Sequence, residues 1–394
     1  MKKIYLDYAA STPLDYRVER AMKPFWKDHF GNPHAIHQEG VYATRAVSSA
    51  RKNVAHALQV HESEIFFVGS GTEANNLAIL GTHLAHVSKK GIKKPHMIIS
   101  SFEHASVRVP AEYLEKNGWG ITRIPVTKEG IIDIHAFKRA LRNETMLVSC
   151  VYVNNEVGTI QPLKEIALTL RKFRGNKDTP FPYFHTDASQ ATRFLSIRPR
   201  EFGVDLLTLD GQKIYGPKGV GALYKKSEAH IAPIIYGGKQ ESNLRPGTEN
   251  VPGIVGMAEA MTLCEENRKK EWAHLVALRD FFLFELAKHF PLAEPNGNPK
   301  KSVPGIINIY FPFIIDAERL LIDLDREGVL VSLGSACGTH GSEPSYTVYA
   351  ISGNKARSTK SIRISFGRET TKKDLTYVIM AFKKVLKSGS PNIV

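Results

Sequence analysis

Short apolar runs rich in β-branched residues recur along the first two thirds of the chain, each closed by glycine or a polar residue and most followed by an amphipathic stretch. That alternation specifies βα units and a largely parallel sheet covered on both faces, because parallel strands are joined through helical crossovers. Glu64 to Val68 leads into Gly69-Ser-Gly-Thr72 and then a helical pattern through Asn76, Leu77, Leu80 and Leu84. His96 to Ser100, Met146 to Val153, Tyr183 to Thr186 and Leu206 to Leu209 read as further strands. Ligands of open α/β sheets sit outside the carboxyl ends of the strands, so the polar residues closing these runs are where chemistry belongs.

The texture changes near Ala258. A long helical region through Leu275, Leu278, Phe282, Leu283 and Leu286 is broken by the stretch from Pro291 to Pro299, rich in Pro, Gly and Asn. Beyond it, strands are expected at Gly305 to Phe311, Val329 to Leu333 and Ile362 to Phe366, with helices at Asp316 to Glu327 and Lys372 to Leu386. The expected division is a large domain over residues 15–257 and a smaller α+β domain formed by residues 1–14 and 258–394. A length of 394 residues suits two domains.

Composition narrows the function. Nineteen Phe, 14 Tyr and 3 Trp argue against a disordered chain. No apolar run approaches the roughly 18 residues of a membrane helix, and Asp7 stands where an export signal would place apolar residues. A cytoplasmic protein is expected. Cys150, Cys264 and Cys337 are too few for a disulfide framework and must be read as thiols. The histidines show no zinc-site spacing, and no metal is expected. The formal charge of +14 is spread over short basic clusters without interleaved aromatics, so nucleic acid is not expected as the main ligand. An acidic protein partner stays open.

Gly69-Ser-Gly-Thr72 is either an ordinary strand-to-helix turn or a phosphate cradle, where free N–H groups and the helix dipole favour an anion. It is not the dinucleotide fingerprint, since position 74 is alanine. Gly211 to Gly216 has P-loop glycine spacing, but Pro217 follows where lysine is needed. Asp187 ends an apolar strand and reads as a helix cap or as the partner of a cationic ring. Lys213 lies between glycines just past another strand and, taken singly, reads as a structural lysine or as an amine that desolvation makes nucleophilic. Phosphate cradle, acid and enclosed lysine together suit one ligand, pyridoxal 5'-phosphate.

The same residues carry a family resemblance. Tyr5 to Pro13, Gly31-Asn-Pro33 with His37, Gly71-Thr-Glu73 with Asn75-Asn76, Glu103-His104, Asn154 to Gly158, Asp187 with Gln190, Lys213 to Gly219, Arg245 to Thr248 and Gly334 to Cys337 occur in order over nearly the whole chain. In these motifs the chain closely resembles the cysteine desulfurases of the NifS/IscS type. These are class V aminotransferases with the aspartate-aminotransferase-like fold of pyridoxal phosphate enzymes, fold type I. The resemblance implies an α/β large domain with a mostly parallel seven-stranded sheet. It further implies that Lys213 binds the cofactor covalently, His104 stacks on the ring, Asp187 pairs with its nitrogen, and Asn155 and Gln190 lie near ring and phenolic oxygen. Gly71, Thr72 and Gln212 would bind the phosphate, and Thr248 would reach the cofactor phosphate of a neighbouring subunit, implying a homodimer. Arg363, assisted by Asn32 and Asn155, would hold the carboxylate of L-cysteine.

Cys337 separates the members of this fold. It lies in a small, polar, glycine-laden stretch, Ser332 to Ser342, that reads as a mobile loop, whereas Cys150 sits in a strand and Cys264 in a helix, as packing thiols. The resemblance implies that Cys337 takes sulfur from cysteine as a persulfide, releasing alanine, and passes it to an iron-sulfur scaffold protein. A selenocysteine lyase or another class V aminotransferase would share the cofactor residues. One departure stands out. The family has Ser-x-His before the lysine, and here Asp210-Gly-Gln212 stands instead. A carboxylate beside a phosphate is repulsive, so Asp210 is expected to turn away or to be countered by a cation.

Overall fold

The computed structural model describes residues 3–90, 94–175, 179–334 and 344–388. Seven strands form the central sheet: β1 (Ile65–Val68), β2 (His96–Ser100), β3 (Gly120–Ile124), β4 (Thr145–Ser149), β5 (Tyr183–Asp187), β6 (Leu206–Asp210) and β7 (Gly221–Lys225). Their order is β1-β7-β6-β5-β4-β2-β3. Pairs β2–β3, β2–β4, β4–β5 and β5–β6 are parallel, and β7 alone runs antiparallel, to β1 and β6.

Alternate residues of each strand enter separate cores, as the two-residue period of a strand requires. Ile98, Val148, Phe184 and Leu207 pack on one face, and Met97, Leu147, Tyr183 and Leu206 on the other. Both faces are buried, which explains runs that are apolar throughout rather than alternating. The helices covering the sheet include α1 (Gln38–Leu58), α2 (Gly71–Lys90) and α3 (Ala105–Lys116). His37 caps α1, accepting from Gly40 N–H, and His104 caps α3, accepting from Ser106 N–H.

The antiparallel strand fixes the approach of β1 to the site. Gly221 opens β7, and a Cβ there would stand 2.6 Å from the Ser70 carbonyl carbon and 2.9 Å from the Gly71 nitrogen. Only glycine lets the first turn of α2 settle against the sheet.

The smaller unit is built on β8 (Ile306–Tyr310) and β9 (Ser361–Ser365), which pair antiparallel, with helices at Ala317–Arg326 and Lys372–Ser388. Ile4–Tyr5 pairs with Val329–Leu330, and Asp7 bridges to Ser365, so the start of the chain lies along this unit. A 39-residue helix, α4 (Val251–His289), runs through position 257 without interruption. Its first half buries Ile254, Met257 and Met261, and its second half Leu275, Leu278, Phe282 and Leu286, all in one continuous core. Proline stands at its N-terminal turn and Asn250 caps it, accepting from Gly253 N–H. Among the described residues no helix is long and apolar enough to cross a membrane.

Candidate active site

A cavity of about 210 Å³ opens where the sheet strands end. Gly71 and Thr72 follow β1, His104 follows β2, Asn155 follows β4, Asp187 closes β5 and Asp210 closes β6, and all six line it. Gln190, Gln212, Lys213 and Arg363 complete the wall together with Ala9, Ala10, Ser106 and Ser189. Nine of the twelve residues singled out in the sequence therefore meet in one space.

Lys213 is presented by a tight turn, Gly211–Lys213, which Asp210 caps by accepting from Gln212 N–H. A Cβ on Gly211 would stand 3.0 Å from the Pro217 carbonyl oxygen, so the turn requires glycine. The Lys213 amine donates to the Ala9 carbonyl at 3.0 Å and the Ala10 carbonyl at 2.6 Å. Gln190 Nε2 donates to the same Ala9 oxygen at 2.7 Å. Burial pushes the amine below the ordinary lysine range, against the attraction of Asp210, and the Arg363 charge adds to the fall. Such an amine is neutral more often than a surface lysine and reacts more readily with carbonyls.

Asp187 is oriented from both sides. Its Oδ2 accepts from Asn75 Nδ2 at 2.7 Å and its Oδ1 from Ser189 N–H at 2.9 Å. Asn75 also donates to Ser106 Oγ at 2.8 Å, and Ser106 Oγ lies 2.7 Å from His104 Nδ1, which links the acid of β5 to the imidazole capping α3. Behind them, burial raises Glu103 to about 8, so its carboxyl is largely neutral at pH 7, and burial lowers His185 to about 4. Neither adds a full charge to the floor of the cavity.

Arg363 is 2% exposed, its Nη2 donating to Asp7 Oδ1 at 2.7 Å and its Nη1 to the Asn155 carbonyl at 3.0 Å. Its Nε finds no protein partner although it is buried. Asp210 does not turn away. Its Oδ2 accepts from Gly71 N–H at 3.2 Å and its Oδ1 from Gln212 N–H at 3.1 Å. Lys213 is the cation acting on it, but the amine is bonded to Ala9 and Ala10 instead.

Asn32 and Thr248 are exposed and outside the cavity. Their loops are tied together, since His34 Nε2 lies 2.9 Å from Glu249 Oε1. Cys337 lies outside the described residues. The flanking ones converge on Glu156, next to Asn155: Ser345 Oγ donates to Glu156 Oε2 at 2.5 Å, and a Cβ on Gly334 would stand 2.4 Å from that oxygen. Cys150 and Cys264 are buried, and burial raises both thiols, Cys264 to about 12. Asn75 and Asp7 lie within the family motifs, yet nothing in the sequence assigns them to Asp187 and Arg363. Their signal was polarity at the first turn of a helix and directly after an apolar run.

A class-V aminotransferase family model matches residues 4–378. The chain belongs to the class-V aminotransferases. Among curated members, "Cysteine desulfurase IscS" of Dictyoglomus turgidum is 42% identical over 98% of this chain and 95% of its own. "Putative cysteine desulfurase IscS 1" of Bacillus subtilis is 41% identical over 94% and 95%. A solved "NifS-like protein" superposes with a TM-score of 0.88 at 30% identity, covering 98% of this chain and 99% of that one. The seven-stranded, mostly parallel sheet is that of this family, whose members depend on pyridoxal phosphate.

Proposed function

We propose that this class-V aminotransferase is a cytoplasmic cysteine desulfurase that uses pyridoxal 5'-phosphate to convert L-cysteine to L-alanine and places the sulfur on Cys337. The observation that carries the reading is the Lys213 amine, half-buried and depressed in pKa, sharing one cavity with the oriented carboxylate of Asp187. The curated relatives named cysteine desulfurase support the reaction.

The residues suit the cofactor. The cavity offers an amine for an aldehyde, a fixed carboxylate for a protonated ring nitrogen, an imidazole in its wall and the amino end of α2 for a phosphate. Bound there, the cofactor supplies an electron sink that labilises the amino acid's α-carbon bonds.

The chain's own groups supply the rest. Asp187, supported by Asn75 and Ser189, would hold a positive charge at the ring nitrogen. Lys213 is the base that takes the Cα proton, a role that a pKa below the ordinary lysine range favours. Arg363 binds the substrate carboxylate, its unpartnered Nε and planar fork giving the grip, while Asp7 and Asn155 fix its plane. The Cys337 thiolate takes the substrate sulfur: an S–S bond forms, the substrate C–S bond breaks, and the carbon gains a proton to become the methyl of alanine. Three residues from Gly334, Cys337 is limited by covalent geometry to about 11 Å from that glycine.

Arg363→Lys is expected to raise KM for cysteine by about tenfold or more with unchanged cofactor absorbance, because an ammonium lacks the bidentate fork. An unchanged KM would place the carboxylate elsewhere.

The homodimer and the scaffold partner belong to the same proposal. Ile36 is 100% exposed and Tyr236 79%, and Phe30 is also exposed. Ile36 lies two residues from His34, whose contact with Glu249 ties its loop to the one carrying Thr248, and exposed apolar side chains of this kind mark contact surfaces. The persulfide sulfur then passes to an iron-sulfur scaffold protein. The deciding experiment incubates the holoenzyme with L-cysteine and weighs the peptide containing Cys337. Alanine release with one added sulfur is expected; alanine without added sulfur would overturn the persulfide route.

A further inference from the structure

Asp210 takes hydrogen bonds that an anion at this end of the cavity would need. Its Oδ2 accepts from Gly71 N–H, the first residue of α2, and its Oδ1 from Gln212 N–H. Gln212 Nε2 also points at Oδ2, at 3.4 Å. A phosphate group arriving at the amino end of α2 seeks these same donors and carries close to two negative charges of its own.

The carboxylate has little freedom to leave. A Cβ on Gly71 would stand 3.0 Å from Asp210 Oδ2 and 3.1 Å from its Cβ, so the two segments are already in contact. Asp210 ends β6, is buried, and caps the turn that presents Lys213. Swinging it outward would uncap that turn.

Among the described residues no cation is free to compensate it. From its own turn comes Lys213, whose amine donates to Ala9 and Ala10 and is committed to the cofactor aldehyde. Arg363 of β9 is held by Asp7 and Asn155. Asp187 of β5 adds negative charge to the same cavity, and His104, at the start of α3, caps that helix. Glu73 of α2 turns away to Gly69 N–H and Arg245. Two anions cannot share the donors without compensation, but a neutral carboxyl gives a phosphate oxygen a donor. Burial already moves Asp210 toward that neutral form.

We propose that Asp210 couples cofactor loading to the uptake of one proton from solvent: the phosphate end of the cavity accepts its anion with the Asp210 carboxyl neutral and donating to it. This rests on the pyridoxal phosphate reading above. Loading is favoured at low pH and weakens as pH rises, because the proton that must be taken up becomes scarcer.

The test compares the affinities of the full chain, stripped of cofactor, for pyridoxal 5'-phosphate and for pyridoxal. Pyridoxal reaches Lys213, Asp187 and His104 but brings no phosphate, so the ratio of the two affinities removes the protein titrations common to both vitamers, and the vitamers' own equilibria cancel between the native protein and a variant. Between about pH 6.5 and about pH 8.5, the ratio in the native protein is expected to fall by about tenfold or more. Asp210→Asn is expected to flatten that fall and to bind pyridoxal phosphate about tenfold more tightly than the native chain at the upper pH, with pyridoxal affinity unchanged. The phosphate's own ionisation acts on both proteins alike. Pyridoxal binding reports that the variant's pocket is assembled, and Asp210→Ser serves if the Asn variant does not fold. A ratio that does not change with pH in the native protein, or a fall retained in Asp210→Asn, would overturn the coupling. Failure of the native protein to bind either vitamer would instead sink the cofactor reading on which it stands.

Discussion

Cys337→Ser keeps its bound cofactor and loses alanine-releasing turnover by roughly a thousandfold or more, because a serine hydroxyl stays protonated at neutral pH and is a poor nucleophile toward sulfur. The absorbance of the loaded enzyme and the rate of alanine release from L-cysteine separate the two effects. Cys150→Ala and Cys264→Ala are expected to retain turnover. Both thiols are buried and held protonated by that burial. Full activity in Cys337→Ser would leave the fold intact but remove the desulfurase reading in favour of a transaminase cycle, which requires no thiol.

The second large effect belongs to Lys213. Lys213→Ala loses both the covalent attachment and the proton carrier, and turnover falls by roughly a thousandfold or more. Borohydride reduction followed by mass spectrometry fixes the cofactor to the peptide containing Lys213 in the native chain and to no peptide in the variant. A variant that still fixes the cofactor on another lysine would show that a different amine carries the chemistry. The carbonyls of Ala9 and Ala10 lose their donor in this variant, so a modest loss of thermal stability accompanies the change.

The strands that position the site were legible because each is a short apolar run with a polar end. His96–Ser100 agrees at both limits, and Leu206–Asp210 extends the expected run by one residue. The run read as Met146 to Val153 gives a strand over Thr145–Ser149; beyond it the Cys150 and Tyr152 N–H groups still donate to the His185 and Asp187 carbonyls, while Val151 and Val153 line the cavity. The helix placed near Ala258 begins at Val251, because the signals that start it, a capping asparagine and a proline in the first turn, lie before the change in texture. Individual polar residues at strand ends could be read in the sequence. Their pairing could not. Asn75 with Asp187 is a contact across 112 positions and Asp7 with Arg363 one across 356, and no local periodicity encodes such distances. Asp210 shows the same limit from the other side. Its charge raised the problem, but only the packing of Gly71 against it shows why the side chain stays.

The uninterrupted helix Val251–His289 has a consequence for anyone building chimaeras from this chain. At about 1.5 Å per residue it forms a rod close to 58 Å long, and side chains along its whole length, from Ile254 to Leu286, pack into one hydrophobic core. A splice made at residue 257, where the texture of the sequence changes, would sever that rod and leave both fragments with an exposed apolar stripe. Exchange of the smaller unit between relatives calls for junctions outside Val251–His289, so that the helix travels whole.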